Sequence, residues 1–455
     1  MTELTPTSLW FETALLGEAW ADRVRLTLAG GRITAITVGV EPAAGDEVHA
    51  IALPGLANVH SHAFQRGMAG LTEYRGGDGD DFWSWRALMY RFLDRLNPDD
   101  VEAIAAQAYV EMLQAGFTRV GEFHYLHHDP EGLPYADLGE MAGRIAAAAA
   151  ETGIGLTLLP VHYAQGGFGG AAAVPGQRRF LNDIDRFAAL HERSREVIAA
   201  LPDANLGVAP HSLRAVTPDD LRRVLALSPE GPRHIHAAEQ VKEVADCLAW
   251  SGRRPVQWLL DEIGLDPRWC LIHATHLDAA ETQGLAASGA VAGLCPITEA
   301  NLGDGVFPAL AYLDAGGAIA LGTDSNIQID AAQELRLVEY AQRLTRRGRN
   351  VLGADRPSTG ARLFLGAQAG GAQALAQSPA GLAVGATADI VSLAAEHPSM
   401  IGRRGDALLD SWIFAGGAVD HVWRRGTRVV KGGRHRRAKD VETRYRRAVT
   451  RLLAS

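Results

Sequence analysis

Cysteine is scarce in this sequence. Its 455 residues include three cysteines, Cys247, Cys270 and Cys295, an odd number at wide spacings. This arrangement matches neither a disulfide framework nor the paired spacing of a zinc ribbon. It is typical of a protein kept in a reducing compartment, so a cytoplasmic location is expected.

Long apolar runs and an excess of basic residues are also missing. No run of about 18 apolar residues occurs, and the first twenty residues lack the basic start and apolar core of a secretion signal. We therefore expect neither export nor a membrane partner. The net charge of −9 argues against a nucleic-acid partner, because phosphates attract an excess of Lys and Arg. The basic stretch 431–447 is interrupted by Asp440 and Glu442 and predicts a solvated C-terminal helix.

The two ends of the chain share a β-strand pattern. In "RVRLTLAGGRITAITVG", Val24, Leu26 and Leu28 fall on one face and "AGG" supplies a hairpin turn. The pattern returns after residue 380 in "AGLAVGATADIVSL" and "DHVWRRGTRVVKGG". We predict that these distant segments build one small composite β-sandwich domain.

The middle of the chain alternates short apolar runs with helical patterns. "PDDVEAIAAQAYVEMLQAG" and "PDDLRRVLALS" open with Pro and Asp at helix-start positions. This rhythm predicts an α/β protein with a parallel sheet. Candidate strands lie around "IALPGLANVH", "TRVGEF", "GLTLLPV", "NLGVAPH", "RHIHAAE", "CLIHATH", "AVAGLCP" and "AIALGTD". Eight such units predict a (β/α)8 TIM-like barrel over residues 51–378, with residues 1–50 and 379–455 forming the two parts of the β-sandwich and the C-terminal helix.

Two histidines, His60 and His62, stand at the end of the first barrel strand in "LPGLANVHSHAFQRGMAG". Residues i and i+2 of a strand point the same way, so both imidazoles can share one ion. The spacing alone does not decide the matter, because His234 and His236 form a second such pair among 16 histidines. Position is more informative, since barrel enzymes build their active sites at the carboxyl ends of the strands.

Later strands place polar residues at equivalent positions: His236 after "RHI", His273 after "CLI" and Asp324 after "IALGT". Burying these groups together is costly unless they are paired or coordinated, and a divalent cation satisfies all of them. The alternative is a set of hydrogen-bonded core histidines. Glu239, three residues after His236, suits proton transfer in a deaminase, although a glutamate favoured by a helix N-terminus explains it too.

Several motifs resemble the amidohydrolase superfamily in its mononuclear-zinc deaminase pattern: "PGLANVHSHAF", "HIHAAEQ", "LIHATHLD", "LCPITEANLGDG" and "LGTDSN". The resemblance spans nearly the whole chain. No lysine ends the fourth strand, "LGVAPHSLRAV", where binuclear members carry a carbamylated lysine, so one metal ion is expected. The resemblance implies one ion on His60, His62, His236 and Asp324, and it leaves Glu239 and His273 as catalytic groups beside Asp324. Zn²⁺ is expected and Fe²⁺ is possible.

A narrower resemblance comes from "HAFQR", "FWSWR", "EFHYLHH" and "HSLRAV", which are similar to the formimidoylglutamate deiminases of histidine degradation. It implies hydrolysis of N-formimidoyl-L-glutamate to N-formyl-L-glutamate and ammonia. Asp324 would take a proton from the attacking water, Glu239 would pass one to the departing nitrogen, and His273 would orient the water. Gln65 would contact the formimino end, and the carboxylates would be held by Arg86, Tyr125, His211 and Arg214.

Two other functions stay open at this point. The same barrel serves a heterocycle deaminase or chlorohydrolase acting on a guanine- or triazine-like ring, whose pocket should prefer aromatic stacking over two arginines. A metal-free scaffold protein would have lost its chemistry, a history that usually leaves ligands missing. A homodimer is expected from related barrels. "GGFGG" at 166–170 predicts a loop, and "GGDGDD" at 76–81 predicts part of a mobile substrate loop.

Overall fold

The computed structural model describes residues 7–75, 81–353 and 356–454, so most of the predicted loop at 76–81 lies outside the described residues. In chain order the strands are β1 (Thr7–Leu16), β2 (Ala19–Ala29), β3 (Arg32–Thr37), β4 (Glu47–Pro54), β5 (Leu56–Ser61), β6 (Phe117–His124), β7 (Gly155–His162), β8 (Asn205–Leu206), β9 (Ala209–Pro210), β10 (Arg233–Ala237), β11 (Trp269–His273), β12 (Val291–Leu294), β13 (Ala318–Leu321), β14 (Ile390–Leu393), β15 (Val419–Arg424), β16 (Thr427–Lys431) and β17 (Arg434–His435).

The helices, in the same order, are α1 (Phe82–Leu93), α2 (Pro98–Gln114), α3 (Glu140–Thr152), α4 (Ile184–Ile198), α5 (Pro218–Leu227), α6 (Val241–Ser251), α7 (Pro255–Glu262), α8 (Ala279–Ser288), α9 (Pro296–Leu302), α10 (Ala309–Asp314), α11 (Ala331–Arg346), α12 (Thr359–Ala374), α13 (Asp406–Ala415) and α14 (Ala438–Ala454). Short 3-10 helices span Ala63–Met68 and Pro175–Gln177. No helix within these ranges has both the length and the apolar character that a bilayer crossing demands.

The parallel strands close into a barrel. β10, β11, β12, β13, β5, β6, β7 and β8 are neighbours in that order, and β9 continues the line of β8 against β7. The bridges from Val208 to Arg233 and from Ser212 to His236 join the β8–β9 segment to β10 and complete the circle. The predicted (β/α)8 barrel is confirmed.

Local sequence explains these elements. Every residue of β6 and β7 is buried, as expected for strands with side chains inside the barrel and helices outside it. The predicted helices at 98–116 and 218–228 form as α2 and α5. Asn97 and Thr217 cap them, because their side chains accept hydrogen bonds from the backbone N–H groups of Asp100 and Asp220.

The terminal segments form one sheet in the order β17-β16-β15-β14-β4-β1-β2-β3. Val24, Leu26 and Leu28 are buried in its apolar cluster, as the alternation predicted. The turn between β2 and β3 uses Gly30 and Gly31 at positive φ, a conformation that glycine adopts without steric cost. The predicted composite β-domain is confirmed.

The stretch "IALPGLANVH" was expected to form one strand and instead forms parts of two. β4 belongs to the terminal sheet and β5 to the barrel, and the chain passes between the sheets at Gly55. A Cβ at this position would overlap the Thr118 side chain, which explains the glycine. The division into 1–50, 51–378 and 379–455 stays a prediction, and its first boundary falls inside β4.

Buried ion pairs join the β-domain to the barrel. Arg424 of β15 contacts Asp389 at 2.5 Å and Asp203 at 2.6 Å, and Asp203 also lies 2.7 Å from Arg119 of β6. Burial raises the pKa of Asp203, but the charges of the two arginines outweigh it and hold that pKa below its usual value. The network therefore fixes the β-domain against the end of the barrel opposite the predicted site.

Candidate active site

Two strand ends meet where the first histidine pair lies. His60 and Ser61 end β5, and Asp324 follows β13 after two residues. The Asp324 N–H donates to the His60 carbonyl at 2.9 Å, and the His62 N–H donates to the Asp324 carbonyl at 2.9 Å. Asp324 has φ 45°, in the left-handed region, and these two backbone hydrogen bonds hold it in that conformation.

The four predicted metal ligands come together at this point. His60 Nε2 lies 3.0 Å from His236 Nε2 and 3.3 Å from Asp324 Oδ1. His62 Nε2 lies 3.2 Å from the same carboxylate oxygen. One ligand atom from each of the four residues falls within 4.8 Å of all the others, and none of the four is more than 6% exposed.

Hydrogen bonds on the far side of two rings determine which nitrogens face inward. His62 Nδ1 lies 3.1 Å from the Phe123 carbonyl, and His236 Nδ1 lies 3.0 Å from the His211 carbonyl. A carbonyl oxygen can only accept a hydrogen bond, so each Nδ1 is the donor and carries the proton of the neutral ring, and each Nε2 keeps a lone pair. These lone pairs converge with a carboxylate, an arrangement that fits a divalent cation.

Electrostatics agree with this donor set. Burial lowers the pKa of His60 to about 3 and lowers the pKa of His62 and of His236 as well. Burial alone would raise the pKa of Asp324, but its hydrogen bond with His60 and the neighbouring imidazoles hold that pKa below its usual value. Neutral imidazoles beside an ionised carboxylate are the protonation states that metal ligation requires.

Glu239 and His273 lie beside the donor set. His273 ends β11, and its Nε2 lies 3.7 Å from Glu239 Oε1 and 3.8 Å from Asp324 Oδ2. Burial raises the pKa of Glu239 to about 7, although His273 and Arg214 act in the opposite sense. Burial alone would lower the pKa of His273, but the Glu239 charge and a hydrogen bond with Glu299 raise it to about 10.

The predicted substrate residues share one open pocket of about 530 Å³. Gln65, Arg86, Tyr125, His211 and Arg214 line it together with the metal donors His62, His236 and Asp324, and with Glu239 and His273. Gln65 Nε2 donates to Tyr125 Oη at 3.0 Å, which joins two of the predicted residues directly. The structure therefore brings all of the predicted site residues except His60 to the pocket wall, and His60 lies directly behind it.

The two arginines differ in their surroundings. Arg214 is 9% exposed and lies 3.8 Å from Glu239 and 3.8 Å from Glu243. Arg86 stacks on Trp83, with 4.4 Å between the guanidinium carbon and the ring centre. Among the described residues Arg86 has no carboxylate partner within 4 Å, so the surface ion pair considered as its alternative role does not form there.

Sequence reasoning missed part of the pocket wall: Phe82, Trp85, Met89, Tyr90, Tyr163, Phe180 and Leu302. Tyr163 follows β7 directly, and its hydroxyl accepts from Gln177 at 2.6 Å. A search for polar residues directly after each apolar strand, which identified His236, His273 and Asp324, would also have found Tyr163. Trp85 and Tyr90 lie on α1, and no sequence pattern shows which face of α1 turns toward the barrel.

Comparisons with known proteins agree with this geometry. The model of the amidohydrolase family matches residues 51–429, and that of the formimidoylglutamate deiminase HutF N-terminal domain matches residues 7–50. A formimidoylglutamate deiminase of Pseudomonas aeruginosa is 50% identical over 94% of this chain and 95% of its own. An 8-oxoguanine deaminase of the same organism is 30% identical over 90% of each chain.

The crystal structure of an amidohydrolase from Brucella melitensis covers 98% of this chain and 100% of its own, with 55% identity and a TM-score of 0.96. The chain therefore belongs to the amidohydrolase family and carries at its start the N-terminal domain of the formimidoylglutamate deiminases.

Proposed function

We propose that this protein hydrolyses N-formimidoyl-L-glutamate to N-formyl-L-glutamate and ammonia, a reaction of histidine degradation. The observation that carries the proposal is the pocket that sets Arg86 and Arg214 beside a donor set for one divalent cation. Two arginines suit a substrate with two carboxylates, because guanidinium groups bind carboxylates bidentately. The relative named formimidoylglutamate deiminase, half identical over nearly the whole chain, supports the same substrate.

In this proposal the charged ends of the substrate lie against Arg86 and Arg214, with Tyr125 and His211 as further donors. Gln65 contacts the formimino end; in support, its Nε2 donates to Tyr125 Oη, and the Tyr125 ring lies 4.8 Å from the ring of the metal donor His62. This placement turns the formimino carbon toward Asp324 and Glu239. Binding both carboxylates orients the reacting carbon before the water attacks.

His60, His62, His236 and Asp324 would hold the metal ion, for which we propose Zn²⁺, with Fe²⁺ as the other candidate. When bound, such an ion supplies Lewis acidity that makes water a nucleophile near neutral pH. Asp324 accepts a proton from the attacking water as its oxygen adds to the formimino carbon. Glu239 gives its proton to the terminal nitrogen and then takes up the remaining proton of the added oxygen, which becomes the formyl carbonyl. The proton held by Asp324 also passes to that nitrogen, the bond between the nitrogen and the carbon breaks, and ammonia leaves.

His273 assists the attack of the water. Its Nε2 faces both Glu239 and Asp324, so it can orient the attacking water by a hydrogen bond. Glu239 is 5% exposed and lies beside Arg214, which limits exchange of its proton with bulk solvent.

The same barrel also admits a heterocycle deaminase, the function that the 8-oxoguanine deaminase relative carries in its name. Aromatic side chains such as Trp85 and Phe180 do line the pocket. Two positively charged arginines on the pocket wall favour a substrate with two carboxylates over an uncharged ring. We therefore propose the formimidoylglutamate reaction.

Ammonia release from N-formimidoyl-L-glutamate and from guanine, measured on one preparation with its metal content, tests the proposal. We expect turnover of the formimidoyl substrate alone and about one ion per chain. Glu239→Gln should abolish turnover with the ion retained. Turnover of the ring alone would overturn the proposed substrate, and full activity of Glu239→Gln would overturn the proton transfer.

Further parts of the proposal concern the whole protein. We propose that it acts in the cytoplasm as a homodimer on a small carboxylate-bearing substrate. Sedimentation at several protein concentrations measures the oligomeric state directly, and a single monomer species throughout would contradict the dimer.

A further inference from the structure

Glu299 lies outside the substrate pocket and outside the metal donor set, yet it contacts His273. It is the fourth residue of α9 and is 6% exposed. Its Oε1 lies 3.2 Å from His273 Nδ1, and the same oxygen accepts a hydrogen bond of 2.8 Å from the Cys295 N–H. Glu299 therefore connects the turn between β12 and α9 to the ring of His273.

This contact fixes which nitrogen of His273 faces the pocket. An ionised carboxylate can only accept a hydrogen bond, so Nδ1 is the donor, carries a proton and points away from the pocket. The other nitrogen, Nε2, is then the atom that lies 3.7 Å from Glu239 and 3.8 Å from Asp324. Rotating the ring by half a turn would break the bond to Glu299 and exchange the two nitrogens.

The backbone at His273 gives the ring an unusual direction. His273 has φ 68° and Ala274 has φ 48°, two consecutive non-glycine residues in the left-handed region. Such conformations persist where surrounding contacts hold them. The carboxylate of Glu299 is the side-chain contact that holds the imidazole from the side opposite the pocket.

We propose that Glu299 is a positioning residue of the reaction, which fixes the orientation of the His273 ring by accepting a hydrogen bond from its Nδ1–H. The inference rests on the proposed function, because it assumes that His273 orients the attacking water. Glu299 itself touches neither the reacting atoms nor the four metal donors. Its removal should therefore slow turnover without releasing the ion.

A purely structural role for Glu299 is the competing explanation, since it also anchors the start of α9 through Cys295. Glu334 provides a matched control. It is fully buried, and its Oε2 accepts a hydrogen bond of 2.9 Å from the Ile297 N–H in the same helical turn. Glu334 lies outside the pocket wall. Its loss should disturb the start of α9 without disturbing His273.

The kinetic test compares Glu299→Ala, Glu299→Gln and Glu334→Ala with the parent on N-formimidoyl-L-glutamate. We expect Glu299→Ala to lower kcat about 10- to 100-fold, with KM and metal content near those of the parent. Glu299→Gln should keep most of the parental kcat, because its amide oxygen can accept the same hydrogen bond from His273 Nδ1–H. Glu334→Ala should keep kcat and lose thermal stability. Equal losses of kcat in Glu299→Ala and Glu334→Ala, or parental kcat in Glu299→Ala, would overturn the inference.

A proton NMR measurement tests Glu299 without relying on activity. The Nδ1 proton of His273 should give a downfield signal, identified by its loss in His273→Gln. We expect the signal in the parent, in Glu299→Gln and in Glu334→Ala, and its loss in Glu299→Ala. Persistence in Glu299→Ala would overturn the inference. A parent that shows the signal but does not turn over N-formimidoyl-L-glutamate would contradict the proposed function and leave the contact established.

Glu299→Asp replaces Glu299→Ala should the alanine variant not fold. The shorter side chain keeps the negative charge and withdraws the carboxylate from His273, so the same loss of kcat and of the NMR signal is expected. A parental kcat together with a retained signal would contradict the proposal.

Discussion

The two His-x-His pairs have the same spacing, but their histidines do not all belong to the metal donor set. Both His60 and His62 belong to the metal donor set. In the second pair only His236 does, because His234 lies lower in the barrel, where its Nε2 bonds to the Ala374 carbonyl at 2.9 Å. His234 is thus a hydrogen-bonded core histidine, which was the alternative explanation for such a pair.

This contrast within β10 gives a matched pair of variants. His236→Ala should lose the metal ion and all turnover, because the donor set falls to three residues. His234→Ala also removes a buried imidazole from the same strand and should keep the ion, with a free energy of unfolding lower by about 1–3 kcal/mol. Metal content of the two purified proteins decides the question. Loss of the ion from His234→Ala but not from His236→Ala would contradict the proposed ligands.

Arg86 lies on the pocket wall, where we propose that it binds a substrate carboxylate. Arg86→Gln should raise KM for N-formimidoyl-L-glutamate about 10- to 100-fold, since a hydrogen bond to a charged group contributes about 1.5–3 kcal/mol. Arg91 lies on the same helix but is exposed and outside the pocket wall, so Arg91→Gln is the control. Steady-state kinetics measure both variants. An unchanged KM in Arg86→Gln would exclude this arginine from substrate binding.

Residue identity was the most predictable feature of the site. Strand ends carrying His60, His236, His273 and Asp324 could be found from sequence, because apolar runs mark buried strands and a polar residue after each run is conspicuous. Glu299 could not be found in this way. It reaches His273 only because α9 folds back over the end of β11, a packing relation that no local pattern encodes.

At the scale of elements, Gly55 explains why the predicted strand "IALPGLANVH" divides into parts of two strands. The apolar stretch continues from the second half of β4 into β5, and residues 51–54 and 56–61 are all buried on the two sides of Gly55. A continuous apolar run does not say which sheet each half joins. The passage depends instead on the absence of a side chain opposite Thr118.

Gly55→Ala should therefore lower the free energy of unfolding by about 1–3 kcal/mol, the usual cost of overpacking. Gly143→Ala is the control, because this glycine lies inside α3 with open space around its Cα. That change should raise stability by about 0.5–1 kcal/mol, since alanine favours a helix over glycine. Urea unfolding measures both. A tolerated Gly55→Ala would show that the two strands separate for another reason.

At the scale of the whole molecule, the Arg424 network joins the β-domain to the barrel. Alternation at the two chain ends predicted a shared β-domain, but nothing in the sequence paired Arg424 with Asp389 and Asp203. Arg424 is 3% exposed, so its removal leaves the buried Asp389 carboxylate without its arginine side-chain partner and leaves the partly buried Asp203 carboxylate with Arg119 alone.

Arg424→Leu should lower the free energy of unfolding by about 3–5 kcal/mol, the cost of breaking a buried pair from one side. Arg446 pairs with Glu442 on the exposed face of α14, so Arg446→Leu should change stability by less than about 0.5 kcal/mol. Denaturant titrations give both values. Equal effects of the two changes would contradict a bridging role for the buried network.

The proposed reaction depends on one ion that binds where the polar ends of β5, β10 and β13 come together. An anomalous difference map of the crystallised protein, recorded at the absorption edge of its native metal, tests this claim most directly. The account predicts one dominant peak per chain, about 2.0–2.2 Å from the nearest nitrogen atoms of His60, His62 and His236 and from Asp324 Oδ1. A dominant peak elsewhere in the molecule, or metal-bearing crystals without a peak among these four residues, would contradict it.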